Sequence, residues 1–78
     1  MSKLRGSDEA GRTWDGDRVG DTIKWSSRDG LSGTEMVVDL PGGGMRGVSV
    51  TGDIKPCDYK DGHWDGHGEC PDGDYKED

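Results

Sequence analysis

The chain has 78 residues and a formal net charge of −7 at pH 7; Leu, Ile and Val together number ten, and Phe is absent. At about 13% of the chain, these residues fall below the roughly 20% under which a charged chain tends toward disorder. Such a composition excludes an enzyme with a deep core of its own and predicts a fold completed by a metal, a disulfide, other copies or a partner surface.

Residues 1–18 hold one Leu and one Trp among alternating charges. They follow neither a strand nor a helix period and are expected to form an extended, irregular arm. Residues 19–55 form the expected structural module, a small mainly-β unit with a three-stranded antiparallel meander or hairpin over about residues 21–54. Its first strand carries Ile23 and Trp25 on one side, and Arg28 to Gly33 has turn chemistry throughout. In Thr34 to Leu40, the alternation places Met36, Val38 and Leu40 on a buried face, with Glu35 and Asp39 outside and Val37 as the exception. Pro41-Gly42-Gly43-Gly44 makes the next turn, and Arg46 to Thr51 returns as the third strand. Glycine recurs too often for any window of ten residues to favour a helix.

Residues 56–78 form an acidic, loop-rich tail. They carry two Lys or Arg against eight Asp or Glu, whereas residues 1–55 carry eight against nine. The acidity therefore belongs to the tail, and no basic face exists for direct binding to nucleic acid or to an anionic membrane. No apolar run is long enough to span a bilayer and no signal segment follows Met1, so an intracellular location or an assembled particle is expected.

The candidate site lies in that tail. Cys57, His63, His67 and Cys70 supply two thiolates and two imidazoles, the ligand set of a closed tetrahedral zinc site. Asp61, Asp65 and Asp72 stand where they could orient the imidazoles. The alternatives are a disulfide between the cysteines or free thiols with solvated histidines. Asp61 to Asp72 also resembles a calcium loop in acid spacing and in its glycine at the sixth position. It departs from one at His63, Gly68 and the final Asp72, and Pro56 and Pro71 forbid the flanking helices.

No catalytic constellation emerges, because a nucleophile and its base need a rigid, desolvated setting. The expected function is therefore that of a small non-catalytic structural or interaction protein. It would be ordered by a larger assembly, such as a virion or other particle. The alternative is a metal-stabilised acidic regulator or inhibitor that occupies a partner's basic surface in the manner of a nucleic acid.

Overall fold

The chain reverses direction after every strand, and its connections run from two residues to seven. In the computed structural model, which describes residues 2–78, the strands are β1 (Ser2–Asp8), β2 (Thr13–Val19), β3 (Thr22–Ser27), β4 (Ser32–Asp39), β5 (Met45–Gly52), β6 (Asp58–Lys60), β7 (His63–Asp65) and β8 (Gly73–Glu77). Each is antiparallel to the next, and β8 returns to pair with β1 from Leu4↔Glu77 to Asp8↔Gly73, so the sheet closes into a barrel. No helix occurs among the described residues, and so none is long and apolar enough to cross a membrane.

The expected meander is present as β3, β4 and β5, with the hairpin turn at Leu40 to Gly44. It is not, however, the whole sheet. The arm contributes β1 and β2, and the tail contributes β6, β7 and β8, so the expectation of irregular ends is corrected to an eight-stranded closed barrel. Three strands alone would leave two rows of unpaired backbone groups. Ladder bonds are made by the backbone, so segments with little hydrophobic alternation can still satisfy them. The alternation in the arm is masked because Gly16 is one of its inward residues, following Trp14 and paired directly with Trp25 of β3.

The face assigned to β4 is also corrected. Ile23 of β3 pairs directly with Glu35, and directly paired residues share a face. Both are fully buried, as is Val37, while Met36 and Val38 are 50% and 45% exposed. Between Met36↔Ser49 and Val37↔Gly47 the register skips Val48. This residue bulges outward and is 56% exposed.

The core is Leu4, Ile23, Trp25, Val37, Met45, Cys57, Tyr59 and Trp64, half of it from outside residues 19–55. Aromatic rings replace the scarce aliphatic side chains. Trp25 stacks on Tyr59 at 6.2 Å, Trp64 lies 6.2 Å from Trp25, and Tyr75 meets Tyr59 edge-on at 5.7 Å. Such pairs add to the stabilisation that their buried area already provides.

Glycine makes these large rings fit within so small a barrel. A Cβ at Gly16 would lie 2.8 Å from the Trp25 ring, and one at Gly6 would lie 2.6 Å from Trp64. Gly73 leaves room for the other side of Trp64, and Gly47 leaves room for the Glu35 carboxylate. The glycines cost backbone entropy in the unfolded chain. Inside the barrel, they exchange side-chain volume for room in which an indole can lie flat.

Candidate functional site

The connections β1–β2, β3–β4, β5–β6 and β7–β8 gather at one end of the barrel, where they surround a pocket of about 210 Å³. Its walls include Trp14, Trp25, Tyr59, Trp64, Leu31 and Ile54. The indole donors are already used within the protein. Trp14 Nε1–H donates to Asp8 Oδ2 at 3.1 Å, Trp25 Nε1–H to Glu35 Oε1 at 3.2 Å, and Trp64 Nε1–H to the Pro71 carbonyl at 3.1 Å. What these rings can offer a ligand is therefore ring face, which suits apolar or cationic groups. Around them stand Asp8, Asp53 and Glu69 against Arg12 and Lys55, and Arg12 is paired with Asp29 at 2.9 Å.

Glu35 anchors the wall from within. Besides Trp25, its Oε1 accepts the Tyr59 hydroxyl, and its Oε2 accepts the Cys57 backbone N–H at 3.0 Å. One buried carboxylate thus ties β3, β4, β6 and the β5–β6 connection together. Burial raises its pKa above the ordinary value, and the three donors oppose that shift without cancelling it. Tyr59 is held protonated by burial and by the neighbouring Glu35 charge.

Cys57 and Cys70 both line the pocket, with their Sγ atoms 3.5 Å apart. Cys70 reaches this position because Gly66 has no side chain, and a Cβ there would lie 2.6 Å from Cys70 Sγ. Burial, followed by the neighbouring Cys70 thiol, pushes the Cys57 pKa up. The structure brings the two cysteines together but not the two histidines. His67 Nε2 lies 3.1 Å from Asp58 Oδ2, and His63 Nδ1 meets Asp74. Both histidines are exposed. Among the described residues, no three His, Cys, Asp or Glu side chains are grouped to hold a metal. A structural zinc site requires four ligands, of which this geometry gathers two.

The aspartates near the histidines serve the turns. Asp65 Oδ1 accepts the His67 N–H at 2.8 Å, and Asp72 Oδ1 accepts the Gly66 N–H at 2.8 Å. Asp61 and Gly62, with φ of 53° and 80°, form the two-residue reversal between β6 and β7. That conformation is the one an Asp-Gly hairpin turn adopts.

No family model, curated protein or solved structure matches this chain. Its functional reading therefore rests on the mouth of the barrel. The role of Glu35 was not legible in sequence, because alternation with Met36 and Val38 pointed it outward. The signal that could have found it was the contiguous Met36-Val37-Val38, which leaves the inward parity of β4 open. Trp14 carried no pattern of its own, although Asp8 six residues earlier is its hydrogen-bond partner.

Proposed function

We propose that this protein is a non-catalytic interaction module that receives a basic side chain of a partner protein in the aromatic mouth of its barrel. The observation that carries this reading is the pocket itself. Its tryptophan donors are satisfied internally, its walls present ring faces, and carboxylates outnumber cations around it. A guanidinium or ammonium group gains both cation–π contact and long-range attraction to a chain of charge −7. Glu35 is enclosed by donors and Tyr59 is held protonated, so neither is poised as a base. This reading places the acidic-regulator alternative at a defined surface and does not require a metal.

The test is a titration of the full chain with short Arg- and Lys-containing peptides and with acidic peptides of equal length, followed by tryptophan fluorescence and amide chemical shifts. Basic peptides should perturb Trp14 and Trp64, bind more weakly as salt rises, and lose affinity to Trp14→Ala. Equal response to acidic peptides, or shifts confined to the opposite end of the barrel, would reject the reading.

A second reading, membership of a larger assembly such as a virion or other particle, has its own support. Val19, Thr22, Met36 and Ser49 form one outward row across β2 to β5, with Val38 and Val48 beside it. Val19, Met36, Val38 and Val48 are all exposed, in a chain with few such residues to spare. Association through this apolar outward face would leave the strand pairing of the barrel unchanged. Concentration-dependent oligomers in native mass spectrometry, abolished by Met36→Lys, are the expected result; a monomer at every concentration counts against self-assembly.

A further inference from the structure

We propose that Cys57 and Cys70 are a redox-modification site, forming a reversible disulfide that fixes the pocket wall. The two sulfurs are 3.5 Å apart, and a bond requires them to close to roughly 2.05 Å. The loop that carries Cys70 is already held in place. Gly66 and Asp72 clasp its two ends, Glu69 N–H donates to the Gly66 carbonyl at 2.9 Å, and Trp64 binds the Pro71 carbonyl. On the other side, Cys57 is held by its backbone bond to Glu35. Oxidation therefore joins two sites that the fold has already brought together.

The reaction is thiol–disulfide exchange with a small disulfide of the oxidised-glutathione class. Cys70 is the less buried thiol. As thiolate, it attacks one sulfur of the small disulfide, forms a mixed disulfide and releases one small thiol. The Cys57 thiolate then attacks the Cys70 sulfur, forms the protein disulfide and releases the second small thiol. Two protein thiols are oxidised, one small disulfide is reduced to two thiols, and the two protein protons end on those products. Burial keeps Cys57 protonated, which makes the second step the slow one and accelerates it as pH rises.

The bond would enclose β6 and β7, the two shortest strands, which lie between the two seams with the fewest residue pairs. β5 pairs with β6, and β7 with β8, through only two residue pairs each. Cys57 borders the first seam and Cys70 lies in the loop that precedes the second. Because both residues also line the pocket, oxidation would couple redox state to the rigidity of the mouth.

The experiment uses the full chain, freed of metal with chelator and equilibrated in glutathione buffers of graded oxidation. The product is followed by intact mass after alkylation of free thiols. The expected result is an intramolecular disulfide, formed without denaturant, reversed by dithiothreitol, and raising the melting temperature by roughly 10 °C or more. Cys57→Ser should stop at the mixed disulfide on Cys70. Two alkylatable thiols throughout the buffer series would overturn the proposal, as would oxidation that requires unfolding. Stoichiometric zinc that protects both thiols in the chelator-free protein would also overturn it, in favour of a metal site. The readout is the thiols themselves, so failure of the basic peptides to bind would leave this result unaffected.

Discussion

Tyr59 and Glu35 lie 24 residues apart in sequence and meet inside the barrel, the Tyr59 hydroxyl donating to Glu35 Oε1. Glu35 is 0% and Tyr59 3% exposed, and Glu35 is the acceptor that the buried Tyr59 hydroxyl finds at that depth, beside the Trp25 and Cys57 donors that share the carboxylate. Tyr59→Phe should therefore cost about 1–3 kcal/mol in urea denaturation, because a buried charge-assisted bond is lost while the ring is kept. Glu35→Ala should cost more, on the order of 3–5 kcal/mol, because it leaves three donors without an acceptor. A Tyr59→Phe variant as stable as the parent would show that water replaces the hydroxyl.

Glu35 also sets an expectation for acid. Its folded pKa lies above the ordinary 4.5, chiefly through burial. A carboxyl of this kind binds its proton more tightly in the folded state, so the stability it contributes is fully present below the unfolded value. It is lost as pH rises through the raised folded value. The stability of the parent relative to Glu35→Gln should thus decline from about pH 4.5 upward. Urea melts of both proteins across that range check the sign; a parent that gains on the variant as pH rises contradicts the direction.

At the alkaline end, Tyr59 and Tyr75 are both raised above the ordinary 10.0, with burial the largest cause in each. The unfolded chain releases these protons first, so folding stability should fall as pH climbs past about 10. Absorbance titration should show the Tyr59 phenolate forming only together with loss of the near-ultraviolet circular dichroism. Reversible ionisation of both tyrosines near pH 10 in a still-folded protein would contradict this.

Gly16 and Gly20 separate two uses of glycine. At Gly16 an added methyl group meets Trp25 and Ile23, so Gly16→Ala should cost about 1–3 kcal/mol by overpacking. Gly20 has open space around it and φ +61°, a conformation that Asn tolerates. Gly20→Asn should remain within about 0.5 kcal/mol of the parent. Thermal melts of the two variants decide the matter, and equal losses would indicate that interior room is not what Gly16 supplies.

The surface ion pairs should contribute far less. Lys3–Asp17 and Arg5–Asp15 join neighbouring strands through exposed side chains. Lys3→Ala or Arg5→Ala should leave the urea midpoint close to that of the parent. Added salt should raise the melting temperature slightly, because it screens the repulsion of a net charge of −7 more than it weakens these pairs.

The sequence by itself determined the all-β class, the absence of helix, and the β3–β4–β5 meander with its turns. These are local matters: alternation over a few residues and the turn chemistry of Pro, Gly and Asp act between neighbours in the chain. The sequence also singled out Cys57 and Cys70 as a pair. Tertiary structure alone decided that the two ends of the chain supply β1, β2, β6, β7 and β8, because their ladder bonds depend on β8 reaching β1 and not on a hydrophobic pattern. It turned Glu35 inward and Met36 outward, because Ile23 across the ladder fixes the face and the Val48 bulge absorbs the register. It set Cys57 against Cys70 and gave His63 and His67 each an aspartate partner. The small apolar content that first argued against a self-sufficient core proved compatible with closure. Five of its residues are large aromatic rings, and the glycines between them provide the space in which those rings pack.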